Sequence, residues 1–361
     1  MSSPGGPPPL RRLILPGLFV AGLFAIYFFR MGPPAAVSRE LAVTGPTMGT
    51  TFNVKAVTED MTEVHRERLT RGIRGVVDGV DHAMSTYRPD SEIETFNRSG
   101  IEPFAASPEM LAVVAEAQRV ARLTGGAFDI TVGPLVEIWG FGPSGATETP
   151  SDEKLQELMG VTGYEQLELD IEGGTMRKAR EDCRIDLSAI AKGFAVDLVT
   201  AALDRDGYSD YMVEVGGEVR TRGRNGAGEA WRIGIERPDA RERLVHNAIP
   251  LVDLSLATSG DYRNFVVRDG VRVSHTIDPR TGRPISHNLA SVSVIHASCM
   301  TADALATALE VLGPDQGFAL AERQDIPALF LIRAGDGAFE ERHTGAWSAL
   351  AENMAATEEV G

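Results

Sequence analysis

Cysteine is scarce in this chain, positive charge is in deficit, and the familiar nucleotide and hydrolase signatures are absent. Only Cys183 and Cys299 occur in 361 residues, which excludes a small disulfide-framework protein and suits an exported one that does not depend on such a framework. Sequence spacing alone leaves a bond between the two open, because it fixes no distance. Lys and Arg total 35 against 51 Asp and Glu, a formal net charge of −16. A surface this acidic repels polyphosphate backbones, so nucleic acid is excluded as a partner. An anionic ligand must then be held locally, by a metal, a helix N-terminus or a few placed Lys and Arg side chains. No G-x-x-x-x-G-K-[ST] loop occurs, no G-x-G-x-x-G opens a helix after a strand, and no G-x-S-x-G elbow is found. The histidines lack metal-ligand spacing. No Pro-, Gly- or Ser-rich linker interrupts residues 41–361, which are therefore read as one domain.

Residues 1–40 belong to another regime. Arg11 and Arg12 precede the run 13-LILPGLFVAGLFAIYFF-29, which Arg30 closes. That is the pattern of a signal peptide or short membrane anchor; at helical rise the run reaches roughly 25 Å. No Cys follows it for lipid attachment, and only Ala36 suggests a small-residue cleavage site. The expectation is an uncleaved anchor in the inner membrane, with both arginines inside and the domain exported to the periplasm.

The remainder reads as α+β, with two lobes around mixed sheets and flanking helices. Helices are predicted over 61–84, with Leu69, Ile73, Val76, Val80 and Met84 as the buried stripe, and over 108–126, from a Pro start to a stop at Gly125. Ser151 caps a third, which Gly160 closes. Strands are expected at 166–171, 250–257 and 327–334, with a hairpin over 264–277 turning at Asp269-Gly270.

Two segments carry local chemistry. In 299-CMTADALATALEVLG-313, Asp303 and Thr307 lie one helical turn apart and can offer a carboxylate and a hydroxyl to a hard cation such as Mg²⁺. Spacing alone serves equally well for an exposed helix start in which Asp303 complements the dipole. The stretch 186-DLSAIAKGFAVDLV-199 reads as a strand ending in Asp186, a small-residue turn, and a helix carrying Lys192 early, a junction suited to phosphate.

Eight ordered motifs then carry a resemblance. They are 47-TMGTTF-52, 85-STYRPDSEI-93, 126-GAFDITVGPLVEIWGFGP-143, 186-DLSAIAKGFAVD-197, 213-VEVGGEVRTRG-223, 256-LATSGDYRNF-265, 274-SHTIDPRTGRP-284 and 299-CMTADALAT-307. Together they resemble the ApbE family of FAD:protein FMN transferases, over roughly three quarters of the chain. The resemblance implies an exported, Mg²⁺-dependent α+β enzyme with FAD as substrate. It implies flavin contacts at Met48 and Tyr87, whose thioether and aromatic ring suit an isoalloxazine. Further FAD contacts are implied at Ala127, Phe128, Asp129, Asp186, Lys192 and Ile277, several through the main chain. For Mg²⁺ it implies Asp303, Thr307 and the Ala189 carbonyl, and for the general base His275; a lone His beside a hairpin is otherwise structural.

The implied reaction is attack by a Thr or Ser hydroxyl of an acceptor protein on the FMN-side phosphorus, with AMP leaving. The implied acceptor carries a D-x-x-[ST]-G-A-[ST] motif, as in subunits of membrane redox complexes. The chain's own 341-ERHTGAW-347 departs from that motif at Glu341 and Trp347, so Thr344 is read as ordinary surface. Two alternatives stand beside the transferase: an FAD pyrophosphatase releasing FMN and AMP, and a flavin-binding protein without turnover. The second would need none of His275, Asp303 and Thr307.

Overall fold

A computed structural model describes residues 40–238, 245–261, 265–268, 271–335 and 337–359. Residues 13–29, and with them the expected anchor, lie outside the described residues. Among the described residues, no helix is long and apolar enough to cross a membrane.

Eight strands build the main sheet: β1 (Glu40–Thr47), β2 (Thr50–Val57), β3 (Tyr211–Val215), β4 (Glu218–Arg222), β5 (Ser255–Gly260), β6 (Leu289–His296), β7 (Ala328–Arg333) and β8 (Phe339–His343). Their spatial order is their chain order, and every neighbouring pair is antiparallel. The mixed sheets expected from the sequence are therefore corrected. Each long excursion returns beside the strand end it left: after residues 58–210, for instance, Val57 N–H donates to the Asp210 carbonyl at 2.9 Å. A parallel pair would require a crossover to the opposite end.

Helices α1 (Glu63–Met84), α2 (Glu92–Arg98), α3 (Pro108–Thr124), α4 (Gly133–Ile138), α5 (Asp152–Met159) and α6 (Ala191–Arg205) lie in the first excursion. Helix α7 (Cys299–Arg323) joins β6 to β7, and α8 (Gly345–Glu359) ends the fold. Hydroxyl caps start most of these helices: Thr62, Ser91, Ser107, Ser151 and Ser298 each accept from a backbone N–H one turn inside. Helix α3 stops at Gly125, as expected, because that residue is left-handed at φ 60°. Helix α7 is broken at Gly313, φ 79°, where Pro314 restarts it.

Both faces of the sheet are covered. Phe330 and Ile332 join a core shared with the helices, while Leu329 and Leu331 join a second core with Trp231, Leu251 and Trp347. Burial on both sides explains why 327–334 reads as a continuous apolar run. A third cluster gathers Leu135, Trp139, Leu155 and Ile277.

Several local expectations are corrected. In α1 the buried stripe runs through Val77, with Val76 only partly covered. The strand expected at 250–257 is broken at residues 252–254, where Asp253 takes φ 56°; Leu251 ends a hairpin strand and Ser255 begins β5. No strand ends at Asp186. Ile185 is held instead by Asn97, whose side chain accepts from its N–H at 2.7 Å and donates to its carbonyl at 3.0 Å, so an amide takes the place of a ladder neighbour. Thr344 is fully buried, not surface. Its hydroxyl donates to the Ile326 carbonyl at 2.8 Å and accepts from Ala328 and Trp347 N–H, capping α8. The thiols of Cys183 and Cys299 are buried and free, so the bond left open between them is not formed.

Candidate active site

Two tight hairpins bring the chain to one end of the sheet. Thr47 pairs with Thr50 around Met48 and Gly49, and Val215 pairs with Glu218 around Gly216 and Gly217. Both turns need left-handed residues, and Met48 supplies one at φ 48° without being glycine. That conformation costs about 1–2 kcal/mol, so Met48 stands in a strained backbone position. A Cβ on Gly216 would lie 2.9 Å from both Thr50 Cγ2 and Lys192 Cδ. The two turns and the start of α6 are thus in van der Waals contact.

Helix α6 meets α7 at the same place. A Cβ on Gly193 would come within 2.4 Å of the Cys299 carbonyl oxygen, so only glycine permits this approach. The contact lets Gly193 N–H donate to Asp303 Oδ2 at 3.0 Å. In a regular helix that N–H would satisfy the Ala189 carbonyl one turn back; diverted to Asp303, it leaves the Ala189 oxygen without a backbone donor among the described residues. Asp197, one turn further along α6, accepts from the Ser298 hydroxyl at 2.8 Å and from Cys299 and Met300 N–H at 2.9 and 3.0 Å. It pins the start of α7 and thereby the height of Asp303.

Asp303 is 5% exposed and lies inside the packed helix pair, which corrects the exposed-start reading. Lys192 Nζ stands 3.4 Å from Asp303 Oδ2 and 3.5 Å from Glu218 Oε1. Glu218 is buried, and its Oε2 finds no hydrogen-bond partner among the described residues. Burial and the nearby Asp303 push the Glu218 carboxyl above its ordinary range, with Lys192 opposing. Desolvation pulls the Lys192 ammonium down, but the two carboxylates outweigh it and raise it. Two acids thus share one base in a buried site, and Glu218 is the acid whose charge burial opposes. Thr307, half-buried, follows Asp303 by one turn.

A second group forms around Phe141. Tyr87 donates its hydroxyl to the Phe141 carbonyl at 3.1 Å, and the Phe141 ring packs edge-on to His275 with centroids 6.3 Å apart. The Tyr87 ring is open to solvent. Burial, with Asp186 and Glu137 adding, raises its hydroxyl. Ile277 sits in the cluster with Trp139 just beyond His275.

Not every expected residue offers its side chain. Ala127 and Phe128 are core residues, so any ligand contact there is through the main chain. Asp129 is committed to the fold: Oδ1 accepts from Thr131 N–H and hydroxyl, and Oδ2 from Tyr164 N–H, at 2.6 to 2.8 Å. Asp186 accepts from Ser188 N–H at 2.8 Å.

The ApbE family model matches residues 48–330. This chain belongs to the ApbE family. An FAD:protein FMN transferase of Vibrio cholerae is 47% identical over 83% of this chain and 90% of its own length, and one of Haemophilus influenzae is 40% identical over 87% and 92%. Among solved structures, the flavin transferase ApbE from Vibrio cholerae superposes with a TM-score of 0.78 at 44% identity, covering 86% of this chain and 99% of its own. The apo flavinyl transferase ApbE of Pseudomonas stutzeri gives 0.79 at 40% identity, covering 87% and 97%. The α+β fold of this member is therefore that of solved flavin transferases.

Sequence reasoning passed over two side chains of the site. Glu218 lies inside 213-VEVGGEVRTRG-223, whose paired glycines signal the turn that returns it to the sheet end. Phe141 carries no signal of its own; only the fold brings it between Tyr87 and His275.

Proposed function

We propose that this chain is an FAD:protein FMN transferase that moves FMN from FAD to a Thr or Ser hydroxyl of an acceptor protein and releases AMP. The observation that carries the reading is the Asp303–Lys192–Glu218 cluster beside the Ala189 carbonyl, which has no backbone donor among the described residues, at the end of the sheet that both tight turns reach.

The donor set suits a hard divalent cation. Asp303, Thr307 and the Ala189 carbonyl supply only oxygens, the ligand type of Mg²⁺. When bound, Mg²⁺ would stabilise charge on phosphoryl oxygens. Lys192 supplies a fixed positive charge for the pyrophosphate in a strongly acidic protein. Met48 and the open ring of Tyr87 cover the flavin, with Ile277 and the main chain at Ala127–Asp129 completing the cradle; Asp186 lies at its edge. His275 takes the proton from the acceptor hydroxyl as the new O–P bond forms and the P–O bond to AMP breaks.

The acceptor is an exported flavoprotein with a D-x-x-[ST]-G-A-[ST] type motif, such as a membrane redox-complex subunit. Residues 13–29 would tether the enzyme to the inner membrane facing the periplasm, beside such a target. Pyrophosphatase activity is the same site with water in place of the hydroxyl.

Incubating the protein with FAD, Mg²⁺ and a domain carrying the motif, then weighing that domain, tests the reading. The acceptor should gain the mass of FMN while AMP appears in equal amount. AMP without acceptor mass would establish the pyrophosphatase, and neither product would leave only binding. Asp303→Ala should abolish transfer in limiting Mg²⁺ with the protein still folded by circular dichroism; a wild-type rate would place the cation elsewhere.

A further inference from the structure

We propose that Glu218 is a positioning residue: its carboxylate holds the Lys192 ammonium whenever a divalent cation takes the Asp303 carboxylate. The inference rests on the reading of Asp303 as a cation ligand and names what that reading requires of its neighbour.

An ammonium committed to one carboxylate sits about 2.7–2.9 Å from it. Lys192 instead lies 3.4 Å from Asp303, 3.5 Å from Glu218 and 3.3 Å from the Ser188 carbonyl oxygen, shared among three acceptors and tightly bonded to none. Its side chain is 25% exposed, whereas those of Glu218 and Asp303 are 4% and 6% exposed. Charge then selects between the two acids. A divalent cation at Asp303 adds two positive charges beside the ammonium, and that added charge favours the ionised form of Glu218. The ammonium now faces like charge at Asp303, and Glu218 is the remaining anion beside it.

Glu218 is built for that task. Its Oε2 is buried with no hydrogen-bond partner among the described residues, so it has capacity to accept a second bond from the ammonium. Gly216 and Gly217, at φ 64° and 107°, turn the chain back so that Glu218 opens β4. The place of a Gly216 Cβ lies 2.9 Å from Lys192 Cδ, so the lysine stem is clamped against this turn while its head can pivot. Metal binding would therefore move only the ammonium, by a side-chain rotation, and leave it facing the ligand cleft. Without Glu218 the ammonium would keep only the Ser188 carbonyl and would spend more of its time in solvent.

Acetic anhydride labelling of Lys192, read by mass spectrometry with and without saturating Mg²⁺, tests this. In Mg²⁺, Glu218→Gln should label about fivefold faster than wild type, the population change expected on losing one modest charged contact. In metal-free buffer the two should label alike, because Asp303 still holds the lysine. Glu218→Asp, which restores a carboxylate, should return the Mg²⁺ rate toward wild type. Equal labelling of wild type and Glu218→Gln in Mg²⁺ overturns the proposal. Calorimetric Mg²⁺ titrations separate the layers. Unaltered binding in Asp303→Asn refutes the cation reading, and the inference with it. Binding lost in Asp303→Asn but kept in Glu218→Gln, with labelling unchanged, refutes the positioning role alone. Binding lost equally in both would make Glu218 a ligand and also refute that role.

Discussion

An aromatic ring left in water is apolar surface waiting for a cover. Tyr87 is 68% exposed, yet its hydroxyl is tethered to the Phe141 carbonyl, so the ring is fixed in place before any ligand arrives. Preorganisation of this kind lowers the entropy cost of binding. Tyr87→Ala should weaken FAD binding by about 1–3 kcal/mol, the scale of one covered aromatic face, as read by flavin fluorescence titration. Its melting temperature should stay at the wild-type value, since little packing is lost; a fall in stability without loss of FAD affinity would make Tyr87 structural. His275 separates binding from chemistry. His275→Asn keeps a polar side chain beside Phe141 but cannot accept the hydroxyl proton, so transfer should fall by roughly 10²–10⁴ while FAD affinity is retained. A variant that merely loses FAD would show that the ring packs the cleft and does no proton transfer.

Elements are legible in sequence where their ends are local and obscure where their partners are distant. Helix α3 is readable because Ser107, Pro108 and Gly125 carry its start and stop within its own length. The two strands at Phe265–Arg268 and Val271–Ser274 pair as the Asp269-Gly270 dipeptide implies, although those two residues themselves lie outside the described ones. The extended segment before Asp186 is not readable, because its partner is the Asn97 side chain, 88 residues away. The site divides in the same way. Helical spacing puts Asp303 and Thr307 on one face without telling a cation site from a helix start, and the closeness of Asp303 to Lys192 depends on where α6 and α7 cross. Gly193 sets that crossing. Gly193→Ala would place a methyl 2.4 Å from the Cys299 oxygen and force the helices apart. Overpacking of this kind costs about 1–3 kcal/mol, and Mg²⁺ affinity should fall with it because Asp303 rides on α7. Thermal melts and calorimetric Mg²⁺ titration of the same variant check both halves. Lowered stability with unchanged Mg²⁺ affinity would mean that helix spacing does not place the carboxylate.

Across the whole molecule, a sheet in chain order delivers its turns alternately to two ends. The hairpins at Met48 and Gly216 and the 261–288 excursion, which carries His275 and Ile277, all leave from the same one. The motifs at Met48, Gly216 and His275, spread over some 230 residues of sequence, share an end for that topological reason, whereas the excursions that carry Lys192 and Asp303 leave from the other, and no periodicity in the sequence states either. The surrounding core holds a cost of its own. Glu310, two turns beyond Asp303 on α7, is fully buried, and both its carboxyl oxygens lack hydrogen-bond partners among the described residues. Burial raises its carboxyl well above the ordinary range, with Asp261 adding and Arg333 opposing. The folded state therefore binds a proton that the unfolded state releases near pH 4.5. Its contribution to stability is present below that pH and is lost as pH rises toward the folded value. Glu310→Met fills the same space without a charge to bury and should stabilise the fold by about 1–4 kcal/mol, the range seen when buried ions give way to apolar residues. The sign fixes the pH dependence: the gain in melting temperature should be larger at pH 8 than at pH 5, because the wild-type penalty grows with pH and the variant has none. At roughly 1–2 °C per kcal/mol for a chain of this length, scanning calorimetry resolves the difference. An equal gain at both pH values would show that Glu310 does not change its proton on unfolding, and that its burial costs packing alone.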